Sequence, residues 1–146
     1  MPIAQADIVV DASPADVMAV LVDYASYPDF LPDIRSVEVM ELGPREWRVS
    51  FVIRIIRDLQ YTLRLVRDGD RSLSWSLMEE GVFLRNSGAW ILTEHPDGRT
   101  RAEQRLEIQV AVFLPNSIAR SLVEHTLPQT LACLRDEIER RKLGAK

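Results

Sequence analysis

The chain has 146 residues, 47% of them hydrophobic and 27% charged, with a net charge of −4 at neutral pH. That length suits one domain, residues 1–146, and buries enough surface to fold without a disulfide or a metal. The mixed, slightly acidic charge argues against a dedicated nucleic-acid binder, and the lone Cys133 excludes a disulfide framework. No apolar run approaches the ~18 residues of a membrane span. The opening "MPIAQADIVVDAS" lacks the basic start and unbroken apolar core of a signal peptide. A reducing cytoplasm is the expected compartment.

The first predicted element is a strand over Ala4–Asp11. A helix follows in "DASPADVMAVLVDY", where Ser13 can cap, Pro14 takes the first helical position and Asp16 completes a box-like spacing. Val17, Val20, Leu21 and Tyr24 fall on one stripe. The stretch "DYASYPDFLPDI" then breaks the helix at Pro28 and Pro32, yet keeps Tyr27, Phe30 and Leu31 apolar. Pro28 opens a second short helix and Pro32 closes it. The bent pair wraps a sheet edge with Tyr24, Tyr27, Phe30 and Leu31 turned inward.

Beyond this corner the pattern changes to period two. A strand is predicted over Arg35–Leu42, and turn signals at Gly43-Pro44, Asp68-Gly69-Asp70, Glu80-Gly81 and Pro96-Asp97-Gly98 separate the rest. "EWRVSFVIRII" puts Trp47, Val49, Phe51, Ile53 and Ile55 on one face; "LQYTLRLVR" does so with Leu59, Tyr61, Leu63 and Leu65. "SLSWSLM" sets Leu73, Trp75 and Leu77 against serines. Further strands are read at Arg85–Glu94 and in "RAEQRLEIQVAV", where Ala102, Leu106, Ile108, Val110 and Val112 oppose Arg101, Glu103, Arg105 and Glu107. One wet face and one apolar face mean an antiparallel sheet of about seven strands, in which short turns join strands two to seven into one meander. The segment Pro115–Arg141 is predicted as a long helix covering that face. Its stripe includes Ala119, Val123, Leu127, Leu131, Leu134 and Ile138, Pro128 should kink it, and "RDEIERRK" solvates its end.

The order of strand, two short helices, six-strand meander and long C-terminal helix resembles the START-like, or helix-grip, superfamily. "SPADVMAVLVDYASYPDFLPDIRSVEV" is similar to the opening of its polyketide cyclase/dehydrase and coenzyme Q-binding START-domain family. "WSLMEEGVFLRNSGAWIL", with Gly88 and Trp90 in a GxW pattern, is similar to the same family further on. The resemblance implies an α+β helix-grip fold: a seven-stranded antiparallel sheet wrapped around the long helix, with a cavity between them for an apolar ligand. It does not imply one activity, because relatives include lipid carriers, quinone-binding proteins, aromatase/cyclases and a ribosome-association factor.

Candidate ligand-binding residues are those the pattern turns inward. They are Phe30 and Leu31 at the corner, Phe51, Ile53, Tyr61, Leu63, Trp75 and Leu77 on the middle strands, and Asn86, Trp90, Gln104, Leu106 and Ile108 on the last two. Leu127 and Leu131 would meet them from the helix. Each also reads as ordinary core, since a ligand-holding sheet uses the same residue types. Gly88 leaves space that a solid core would fill. Asn86 and Gln104 are the clearest polar residues on these faces, and pairing the two strands even with even places Gln104 beside Trp90.

No catalytic centre can be read. His95, His125 and Cys133 have no recognisable metal-ligand spacing, and no phosphate loop, nucleophile elbow or HExxH is present, so no metal or cofactor is expected. The leading expectation is a non-catalytic carrier of a quinone, isoprenoid or lipid, monomeric or weakly dimeric, with the broken and kinked helices gating entry. An aromatase/cyclase is the alternative; it needs several inward ionisable groups, and few are found. A partner-binding module of the ribosome-association type is the third. It would use Arg48, Arg54, Arg64, Arg101 and Arg105 on the outer face as a docking surface for an acidic partner or an anionic membrane.

Overall fold

The computed structural model of the chain describes residues 3–54, 58–111, 115–121, 124 and 127–144. Ile55, Val112, Val123 and His125 fall outside them, as do the side chains of Ala119 and Leu127.

The strands are β1 (Ile3–Val10), β2 (Ile34–Gly43), β3 (Glu46–Arg54), β4 (Asp58–Asp68), β5 (Ser72–Leu77), β6 (Phe83–Glu94) and β7 (Thr100–Val110). They form one antiparallel sheet in the order β1-β7-β6-β5-β4-β3-β2. The meander from β2 to β7 follows from the short turns between its strands, and β1 closes the far side on β7. Trp90 stands opposite Gln104 and Asn86 opposite Ile108, the even-with-even register that two inward apolar sets demand. Between Phe83 and Arg85 that register slips. The irregularity turns odd-numbered Phe83 to the same inner side as Asn86 and Trp90, a change of parity that alternation alone does not foretell.

Helix α1 (Pro14–Leu21) starts as its sequence dictates: Ser13 Oγ accepts the Asp16 N–H at 3.2 Å and Pro14 lies in the first turn. Its buried stripe is Val17, Met18, Val20 and Leu21. A 3-10 turn over Tyr24–Ser26 leads into α2 (Tyr27–Phe30). Leu31 then leaves the helical region at φ −112°, ψ 102°. The ring of Pro32 imposes this, because its Cδ crowds a helical residue before it. The two prolines therefore bound α2, with Tyr24, Tyr27 and Leu31 buried and Phe30 half-exposed.

At the C-terminus the described residues give two helices, α3 (Asn116–Ser121) and α4 (Leu127–Gly144), where one helix over Pro115–Arg141 is predicted. Pro128 is the second residue of α4, and what joins α3 to α4 lies partly outside the described residues. The expected kink through Thr126–Thr130 rests partly on residues outside those described. Helix α4 packs on β1, α1 and α2, and its Leu131, Leu134 and Ile138 join the main core. A smaller cluster of Ile53, Leu59, Phe83 and Ile108 sits beside that core.

The charged end of α4 does more than solvate it. Glu137 is buried, and its carboxylate accepts from Arg140 Nη2 and Arg141 Nε at 2.7 Å each. Arg141 also reaches Asp23 Oδ2 at 2.9 Å and lies over the Phe30 ring at 5.8 Å. This cluster fastens the end of α4 to the bent corner. No helix among the described residues is long and apolar enough to cross a membrane.

Candidate functional site

The inner face of the sheet does not meet α4 everywhere. Between them lies a cavity of about 170 Å³. Phe51 and Ile53 of β3, Tyr61 and Leu63 of β4, and Trp75 of β5 line it. Asn86 and Trp90 of β6, with Gln104, Leu106 and Ile108 of β7, complete the sheet wall, and Leu31 lines the corner. Pleat alternation puts these side chains on one face, which is why the sequence reading finds them.

Three other predicted residues stand apart from the lining. Phe30 lies under Arg141 at the corner surface. Leu77 shares the inward parity of Trp75 and packs against both core clusters, beside a groove between β5 and β6 and not in the cavity lining. Leu131 is only 4% exposed and packs into the core. Leu127 opens α4, and its side chain lies outside those described. The lining also includes residues beyond the predicted set: Tyr27, Ile34, Leu65, Leu73, Phe83, Thr130 and Leu134. The inward positions of Tyr27, Leu65, Leu73 and Leu134 were visible in the periodicity; that of Phe83 was masked by the register slip.

Aromatic rings form a continuous wall. Tyr27 stacks near Phe51 at 6.2 Å between centroids, Phe51 on Tyr61 at 5.3 Å, and Tyr61 meets Phe83 edge-on at 5.0 Å. Gly88 plays a different part from the one its sequence suggests. A Cβ there would lie 2.7 Å from Trp75 Cζ2 and 2.1 Å from the Arg105 carbonyl oxygen. The missing side chain makes room for the Trp75 indole and for β7, so the space is filled by protein.

The polar groups are few. Trp75 Nε1–H donates to Asn86 Oδ1 at 3.1 Å, and the Tyr27 hydroxyl donates to the Leu21 carbonyl oxygen. Gln104 Oε1 is buried without a partner. Tyr27 and Tyr61 are the ionisable residues of the described lining. Burial pushes both phenols well above their ordinary value of 10.0, with nearby Tyr24, Asp23 and Tyr61 adding to the effect at Tyr27. Both are neutral at physiological pH. Cys133, half-buried, has its thiol pushed up by burial and then by Asp136 and Asp33, which leaves it a poor nucleophile. No cluster of three or more metal-ligating side chains occurs among the described residues.

On the outer face four of the five predicted arginines meet carboxylates, and no ion pair is seen for Arg48 among the described residues. Arg64 holds Glu46 at 2.9 Å, Arg54 lies 3.6 Å from Asp58, and Arg105 reaches Glu103 at 3.2 Å. Arg101 pairs with Asp7 and Glu103. Glu103, read as solvated from its sequence, is buried beneath these arginines and accepts from Gln5 Nε2 at 2.7 Å.

No curated protein matches the chain. Solved structures do. A START superfamily protein from Mycobacterium smegmatis superposes with a TM-score of 0.81 at 15% identity, covering 94% of this chain and 97% of that one. The Zhui aromatase/cyclase from a Streptomyces species gives 0.77 at 21% identity, over 96% and 94%. A STAR-related lipid transfer protein from Xanthomonas axonopodis gives 0.74 at 17% identity, over 92% and 84%. These likenesses establish the helix-grip fold of START proteins. Residues 10–135 match the family described as polyketide cyclase / dehydrase and lipid transport, and the chain belongs to that family.

Proposed function

We propose that this protein binds and carries a small apolar molecule without chemically changing it. The observation that carries the reading is the cavity itself: an aromatic and aliphatic wall with no carboxylate, histidine, lysine or arginine among its described residues. Binding would come from burial of apolar surface, worth ~25 cal/mol per Å², with a few amides setting orientation. A quinone ring, an isoprenoid end or the end of a lipid chain are the ligand classes that suit such a wall. The STAR-related lipid transfer protein among the structural relatives supports the reading by analogy.

A polyketide aromatase/cyclase is the second reading, favoured by the family description and by the Zhui likeness. Cyclisation needs groups that move protons near neutral pH. The lining tyrosines are held neutral far above that range, which argues for carriage. The pairing of Arg54, Arg64, Arg101 and Arg105 likewise weakens the docking-surface reading.

Native mass spectrometry of freshly purified protein, followed by extraction of what is released, tests the proposal. A discrete lipid or quinone mass is expected. Apo protein alone, together with Trp75 and Trp90 emission unmoved by a panel of quinones and lipids, would sink it.

A further inference from the structure

The cavity carries an unmet demand for a hydrogen-bond donor. Gln104 is 9% exposed, lines the cavity, and has its acceptor Oε1 shut off from solvent with no partner. Two donors of the wall are already committed elsewhere: Trp75 N–H to Asn86, and the Tyr27 hydroxyl to the Leu21 carbonyl. A buried acceptor left without a donor costs the full desolvation of that group. No side chain of the described wall reaches it, so the donor that relieves it comes from the occupant or from water held beside it.

We infer that the occupant is a neutral, single-ring molecule bearing a hydroxyl, which donates to Gln104 Oε1. This rests on the carrier reading above and narrows it. Three observations fix the class. First, a bare quinone carbonyl, an ether or a hydrocarbon brings no donor, so each leaves the Gln104 oxygen as it found it. Second, a carboxylate or phosphate would enter a wall without a cation among its described residues, and an unpaired buried charge is prohibitively costly. Third, about 170 Å³ is close to the ~150 Å³ of an engineered cavity that holds benzene, and falls below the ~300 Å³ at which drug-sized pockets begin. The arc of Phe51, Tyr61 and Phe83 offers both a face and an edge to such a ring.

Isothermal titration calorimetry on the full chain with three probes of nearly one shape tests this. Para-ethylphenol carries the donor, para-ethyltoluene has a methyl in its place, and para-ethylanisole keeps an oxygen acceptor without the donor. The phenol is expected to bind about tenfold tighter than either analogue, the size of one good hydrogen bond. In Gln104→Leu the phenol should lose that advantage while para-ethyltoluene binds as before. A phenol that binds no better than the toluene overturns the inference and leaves the carrier reading intact, because an unpaired hydroxyl would then be buried at a cost. A preference for the anisole overturns it as well. Failure of all three probes to bind overturns the inference, and the carrier reading then stands or falls on the native mass spectrum and the quinone and lipid panel. If Gln104→Leu does not fold, Gln104→Met repeats the comparison, and the phenol-to-toluene ratio of the unmodified protein decides in either case.

Discussion

At the residue scale the site depends on a glycine that supports a tryptophan. Trp75 and Gly88 face each other across β5 and β6, and the indole occupies the place a Gly88 side chain would take. Gly88→Ala has to displace both the Trp75 ring and the β7 backbone at Arg105. A loss of about 1–3 kcal/mol is expected, the usual cost of overpacking, with altered Trp emission as the Asn86 bond is disturbed. Urea unfolding measures the first, and an unchanged midpoint would mean that both the ring and the Arg105 carbonyl yield without cost. Tyr24 presents the reverse case. Its hydroxyl is buried without a partner, while its ring packs edge-on against Trp47 at 5.5 Å and Tyr27 at 5.7 Å. Tyr24→Phe keeps the ring contacts and removes a desolvated polar atom, so the melting temperature should hold or rise. A loss of more than about 1 kcal/mol of unfolding free energy would reveal a partner for that oxygen.

At the scale of elements, what the sequence made legible is what is encoded locally. Strand faces follow from alternation, the start of α1 from Ser13 and Pro14, and the end of α2 from Pro32 acting on Leu31. The cavity wall was legible for the same reason, since most of it is the inner parity of β3 to β7. Three things were not. The slip at Phe83 inserts one residue into a pattern of period two, and no turn residue marks it. The role of Gly88 depends on what the neighbouring strand places there. The run "RDEIERRK" reads as solvated because Asp23, which Arg141 meets, is 118 residues away along the chain. That cluster has a pH signature. The hydrogen bond from Arg140, helped by Arg141, holds the Glu137 carboxyl below its ordinary 4.5 despite partial desolvation. A lowered carboxyl contributes stability that is fully present above its unfolded value and is lost as pH falls through its folded value. Glu137→Gln should therefore be less stable than the unmodified chain at pH 7, and the gap should narrow in acid, below about 4.5. Thermal melts across that range measure it; a gap that stays constant would mean that packing, not ionisation, makes the difference.

At the scale of the whole molecule the question is where a packed core gives way to a held space. Helix α4 divides into two parts. Leu131 and Ile138 lie in the main core with α1 and the corner, whereas Thr130 and Leu134 look onto the cavity, Leu134 also touching the core. Across from them Leu106 of β7 is half-exposed although it points inward, because the cavity beside it leaves part of its surface uncovered. Enlarging each side separates the two regimes with one kind of change. Leu131→Phe forces a ring into close-packed surroundings and should cost about 1–3 kcal/mol with little direct effect on binding. This reverses what an inward-facing helix position suggests from sequence, where Leu131 reads as a ligand contact. Leu106→Phe puts the same extra atoms into space that has no protein to displace. Its cost should stay under about 1 kcal/mol, offset by the apolar surface the new ring buries, while uptake of any apolar ligand falls away. Denaturation midpoints and ligand titrations on the two variants give the four numbers needed. Equal destabilisation of both, with binding untouched by Leu106→Phe, would mean the inner face of β7 is core like any other, and the molecule would have no held space for a cargo.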